Sequence, residues 1–163
     1  MISGTLNLFI VDDDSVSVKG IRSYLTSRFG TSLNISSFYT GESALKKIDK
    51  DTNIVILDYN LKGENGNEVL KAIKKINPQT EVIMLTSNEN IGVAIDSFRK
   101  GATDYVLKGR NAQRNIAAIV YNILAFPVRM MVKEFNVSKL LAIFLVTFIS
   151  MGIAVALYLN FWQ

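Results

Sequence analysis

The run Ile54-Val55-Ile56-Leu57-Asp58 constrains the fold of this chain more than any other stretch. Its four apolar residues are mostly β-branched, and the run is too short for a buried helix. It reads as a strand covered on both faces, as the central strands of a parallel sheet are. The acid that closes the run then sits at the carboxyl end of that strand, where ligands of open α/β sheets bind.

The flanking sequence supplies the rest of such a sheet. Leu6 to Val11 reads as a buried first strand, followed by Asp12, Asp13 and Asp14. Val18, Ile21, Leu25 and Phe29 recur at helical spacing, with Gly30 as the stop. Leu33 to Phe38 alternates like a half-buried edge strand, and Ala44, Leu45 and Ile48 mark a short helix. After Asp58, Gly63 to Gly66 reads as a loop, and Val69, Leu70, Ile73 and Ile76 as a helical stripe ended by Asn77-Pro78. Val82 to Leu85 is a fourth strand. Ile91, Ala94, Ile95 and Phe98 form the stripe of a fourth helix, closed by Gly101. Tyr105 to Leu107 is a fifth strand, and Ile116, Ile119, Val120 and Ile123 mark a fifth helix. Five strands alternating with five helices predict an α/β, (βα)5 plan with a doubly wound parallel five-stranded sheet. An edge-like second strand is compatible with the order 2-1-3-4-5.

In this plan Asp12, Asp13, Asp58, Thr86 and Lys108 all fall at one edge of the sheet. Asp14 has the alternative role of a helix N-cap. The chain has neither cysteine nor histidine, which excludes disulfides, Cys-His and Ser-His-Asp catalysis and His-ligated zinc. Carboxylate, hydroxyl and lysine chemistry remains, and oxygen ligands favour Mg²⁺ over a transition metal. A net charge of +4 with dispersed lysines shows no nucleic-acid stripe, so no nucleic-acid partner is expected.

Four stretches carry a resemblance. They are Phe9 to Asp14, Val55 to Leu61 with Gly66, Val82 to Ser87, and Gly101 to Lys108. In that order and spacing the chain resembles the receiver domain of bacterial two-component response regulators, over roughly residues 5 to 125. The resemblance implies the flavodoxin-like form of the (βα)5 fold. It implies Asp58 as the phosphoryl-accepting nucleophile, and Asp12, Asp13, Asp58 and the Asn60 carbonyl as ligands of Mg²⁺. Lys108 would contact a phosphoryl oxygen, Thr86 would donate its hydroxyl to the phosphate, and Tyr105 would turn inward with Thr86 as the switch. The donor would be a histidine kinase or phosphotransfer protein, since a chain without histidine cannot itself carry phosphohistidine. The resemblance implies a phosphoacceptor regulator that assists its own phosphorylation and dephosphorylation, not an enzyme in the ordinary sense.

Two positions depart from the family pattern. Gly109 follows the lysine where a cis-linked proline is usual. A cis non-proline bond costs about 2.5–4 kcal/mol, so a trans bond is expected, with a different loop after the fifth strand, and the sequence leaves the resulting placement of Lys108 open. Lys62 also stands where proline is common. Two other readings compete with a working receiver. One is a receiver-like interaction module that takes no phosphate. The other is a haloacid-dehalogenase-type phosphatase with Asp12 as nucleophile, suggested by Asp12-x-Asp14, although a cap domain and a second acidic pair are lacking.

Domain bounds follow from composition. Residues 1–126 are the receiver domain, and Pro127 is expected to end or kink the fifth helix. Residues 127–139, with Val128, Met131, Val132 and Phe135 at helical spacing, form a linker or an amphipathic helix. Residues 140–159 contain no charged side chain and are expected to form a transmembrane helix, with 160–163 as a short tail. Arg129, Lys133 and Lys139 precede this span, which places the receiver domain on the cytoplasmic side of the inner membrane. Tyr158, Phe161 and Trp162 would sit at the far interface. Ser150, Gly152, Ala154 and Ala156 would permit close helix contact in a homodimer. No signal peptide is expected. With no further domain after the span, the output would be an effector bound by the receiver itself, in the membrane or the cytoplasm.

Overall fold

The structure, a computed structural model, describes residues 5–87, 90–134 and 139–161. The chain divides into two compact units, one of residues 4–120 and one built on residues 121–163.

The first unit runs β1 (Leu6–Val11), α1 (Ser15–Phe29), β2 (Leu33–Phe38), α2 (Gly41–Leu45), β3 (Thr52–Asp58), β4 (Asn60–Leu61), β5 (Glu64–Asn65), α3 (Gly66–Ile76), β6 (Glu81–Thr86), α4 (Ile91–Arg99) and β7 (Asp104–Leu107). It closes on the first part of α5 (Ala112–Glu134). The five main strands are parallel in the order β2-β1-β3-β6-β7, which is the expected 2-1-3-4-5 once the small hairpin β4-β5 is set aside. The turn and second strand of that antiparallel hairpin fall where the sequence reads as loop.

The two-residue period of the strands divides the core into two layers. Phe9, Val11, Val55, Leu57, Val82 and Met84 share one cluster with Ala44 of α2 and Val69, Leu70 and Ile73 of α3. The alternating residues Leu8, Ile10, Ile54, Ile56, Ile83 and Leu85 are equally buried. They face the other way, leaving Val18, Ile21 and Leu25 of α1 and Ile116 and Val120 of α5 to cover them. β3 is thus apolar on both faces because it is covered on both faces.

α3 begins hard against the end of β3. A Cβ added to Gly66 would lie 2.5 Å from the Asp58 carbonyl oxygen and 2.7 Å from the Tyr59 Cα. Only glycine permits that approach. The Gly66 N–H donates to the Tyr59 carbonyl at 2.9 Å, and the Asn65 side chain caps the helix through the Asn67 N–H.

α4 forms where expected but is rotated. Its apolar stripe faces outward, with Ile91 exposed by 74 % and Phe98 by 48 %, while Ser97 is fully buried. A polar bridge to α3 holds it in this orientation. The Ser97 hydroxyl donates to Asn67 Oδ1 at 2.8 Å, and Asn67 Nδ2 donates to Asp96 Oδ2 at 2.8 Å. Satisfying a buried asparagine outweighed burial of the isoleucines.

Of the end or kink expected at Pro127, the end is corrected. α5 runs continuously from Ala112 to Glu134. Proline removes one intrahelical hydrogen bond, and the flanking bonds of a long helix carry it across. Residues 127–134 of the expected linker are therefore helical, while residues 135–138, with Phe135, and 162–163, with Trp162, lie outside the described residues. α6 (Lys139–Phe161) covers the expected span. Among the described residues, no helix is long and apolar enough to cross a membrane. The side chains described in α6 are those of 143–155 and 157–159, so its longest unbroken described stretch is shorter than the expected span.

Asn67→Ala is expected to lower stability by about 1–3 kcal/mol, because it strips a partner from buried Ser97 and from Asp96. The check is the urea midpoint at unchanged slope. An unmoved midpoint would mean that the bridge does not hold α4.

Candidate functional site

Asp12 and Asp58 leave neighbouring strands side by side, because Val11 of β1 pairs with Leu57 of β3. Both carboxylates are almost wholly buried, at 1 % and 3 % exposure. Each is held by local hydrogen bonds. Asp12 Oδ1 accepts from the Asp14 N–H at 2.9 Å, and its Oδ2 accepts from the Ser17 hydroxyl at 2.7 Å. Asp58 Oδ1 accepts from the Asn60 N–H at 3.2 Å. Ser17 belongs to the first turn of α1, and nothing in its local sequence marked it as part of the site. Asp14 takes its alternative role, capping α1 by accepting from the Val16 N–H.

Lys108 joins the two acids. Its ammonium lies 2.8 Å from Asp58 Oδ2 and 2.9 Å from Asp12 Oδ2. The Lys108 N–H donates to the Thr86 carbonyl at 2.7 Å, so its backbone is fixed by the end of β6 before the following loop begins. No peptide bond among the described residues is cis, as expected at Gly109. The Lys108 backbone is thus held from β6, ahead of the loop that Gly109 opens. A Cβ at Gly109 would meet nothing within 4 Å.

The electrostatics are those of two buried acids sharing one base. Burial pushes the Asp58 carboxyl above the usual carboxylate range, and the Asp12 charge adds to this against the opposing pull of Lys108 and the Asn60 N–H. Burial alone would draw the Lys108 ammonium down. Its hydrogen bonds to Asp58 and Asp12 prevail and hold it above its ordinary value. Both groups therefore bind protons more tightly than free side chains do, the mark of a pocket short of positive charge.

Asp13 is exposed beside this pair, and carboxylate oxygens of Asp12, Asp13 and Asp58 lie within 4.8 Å of one another. Three hard anionic oxygens at that spacing fit a small divalent cation such as Mg²⁺. Asn60 opens β4, two residues after Asp58. Thr86 is fully buried at the end of β6, on the strand paired with β3. Tyr105 of β7 is half-buried, packed on the core cluster that contains Met84, its register partner. Asp12, Asp13, Asn60, Thr86 and Lys108 thus lie with Asp58 at one edge of the sheet, while Tyr105 sits within β7, two residues before its end.

This architecture is that of a phosphoryl-accepting signalling domain, and comparison with known proteins agrees. The response regulator receiver domain family matches residues 8–120, and the chain belongs to it. The luminescence regulatory protein LuxO of Vibrio campbellii is 33 % identical over 104 residues, 63 % of this chain and 22 % of LuxO. The DNA-binding transcriptional regulator NtrC of Klebsiella pneumoniae is 30 % identical over 112 residues, 68 % of this chain and 23 % of NtrC. The chain spans about a quarter of the length of such relatives. Among solved structures, the BeF3-activated receiver domain of DrrB, a Thermotoga maritima response regulator, superposes with a TM-score of 0.64 at 29 % identity, covering 74 % of this chain and 98 % of that domain.

Lys108→Met is expected to raise the titration of Asp58 further, since the ammonium is the main influence holding it down. Carboxyl ¹³C shifts followed against pH report this. An unmoved Asp58 titration would show that the ion pair is absent in solution.

Proposed function

We propose that the chain is a membrane-tethered receiver that accepts a phosphoryl group on Asp58 from a phosphohistidine of a histidine kinase or phosphotransfer protein. The supporting observation is the convergence of Asp12, Asp58 and Lys108 within 2.9 Å from three separate strand ends. Asp58 oxygen attacks phosphorus, an O–P bond forms as the donor's N–P bond breaks, and the electron pair leaves with the imidazole. Asp12, Asp13, Asp58 and the Asn60 carbonyl would hold Mg²⁺. The ion supplies the positive charge that lets clustered carboxylates approach an anionic donor. Lys108 gives a point charge to a phosphoryl oxygen. The Thr86 hydroxyl donates to the new phosphate, and Tyr105 follows Thr86 inward, altering the surface that an effector reads.

The tether rests on α6. Twenty-three helical residues at about 1.5 Å each exceed the roughly 30 Å of a bilayer's hydrocarbon core. Apolar side chains such as Ile143, Phe144, Phe148, Ile149, Ile153 and Leu157 are exposed on every side of it. Arg129 and Lys133 ahead of it and Lys139 at its start favour a cytoplasmic receiver.

Incubation with acetyl phosphate and Mg²⁺ is expected to label the wild type and not Asp58→Asn, and chelation of the metal is expected to abolish labelling. Equal labelling of both proteins would overturn the assignment of Asp58. No labelling of either would favour a receiver-like interaction module. The chain is expected to stay with membranes after alkaline carbonate extraction, and release into the supernatant would remove the tether.

A further inference from the structure

The hairpin β4-β5 lies directly after Asp58 and carries Asn60. Gly63, at φ +80°, makes its turn, and Leu61 pairs with Glu64 across it. One strand is anchored inward, since Leu61 is buried in the core cluster. The other is anchored sideways by Glu64. Its Oε1 accepts from the Glu42 N–H of α2 at 3.4 Å. Its Oε2 is buried and has no hydrogen-bond partner among the described residues. The carboxylate rests on the bare Cα of Gly41, where a Cβ would clash directly with Oε2 and come within 2.5 Å of Val69 Cγ2. The fit of Glu64 thus requires glycine at the start of α2.

We propose that Glu64 is a positioning residue for the cation and phosphoryl site. By clamping the hairpin onto α2 at Gly41, it fixes the Asn60 carbonyl, one register step away, relative to Asp12, Asp13 and Asp58. This rests on the function proposed above. A buried carboxylate oxygen without a partner costs stability, so the residue is ill suited to a purely structural role. Its removal therefore separates folding from positioning.

The experiment uses the full chain in detergent micelles. Mg²⁺ affinity is read from the Asn60 amide shift, acetyl phosphate labelling is followed at several Mg²⁺ concentrations, and the thermal midpoint is recorded. Glu64→Ala is expected to weaken Mg²⁺ binding roughly tenfold, the lower end of what supporting residues contribute. Its thermal midpoint is expected to be unchanged or higher. Labelling should slow at low Mg²⁺ and recover at saturation. Glu64→Gln, which keeps the acceptor, should behave as wild type, while Gly41→Ala, which displaces the carboxylate, should weaken Mg²⁺ binding as Glu64→Ala does. Wild-type Mg²⁺ affinity in Glu64→Ala, or a labelling defect that saturating Mg²⁺ does not relieve, would overturn the assignment. Failure of the wild type itself to bind Mg²⁺ would instead remove the functional reading beneath it.

Discussion

The site depends on one arrangement, a single ammonium shared by two carboxylates that the sheet has removed from water. Neither acid would tolerate such burial alone, and Lys108 relieves both. It does so incompletely, and the remaining negative charge, with that of Asp13 beside it, makes the pocket receptive to a hard cation. The strands that produce this arrangement share nothing in sequence beyond an apolar run ending in a polar residue. Parallel register alone carries those ends to one place.

Much of this was legible in the chain itself. The limits of β1 and β2 agree with the apolar run and the alternation that mark them, because each pattern breaks where the strand leaves the sheet. Asp12, Asp58 and Lys108 were legible for the same reason. Ser17, Asn67 and Ser97 were not. A buried hydroxyl or amide has the same local signature as an exposed one, and only its distant partner tells them apart. The rotation of α4 follows from this. Its periodic isoleucines mark a helix, but they do not say which side faces the sheet.

Gly109 and Pro127 each break a local pattern, and in each case a neighbouring constraint bears on the outcome. Lys108 is already fixed through its N–H to Thr86, and the helical bonds on either side of Pro127 carry α5 onward.

The attachment of α4 to α3 has a thermal corollary. Its isoleucines already face water, and the link to α3 is largely directional hydrogen bonding. Apolar hydration is what gives protein rearrangements their heat-capacity change, and side chains that face water before and after a movement add nothing to it. The outward isoleucines of α4 therefore contribute nothing to the heat-capacity change of any shift of that helix.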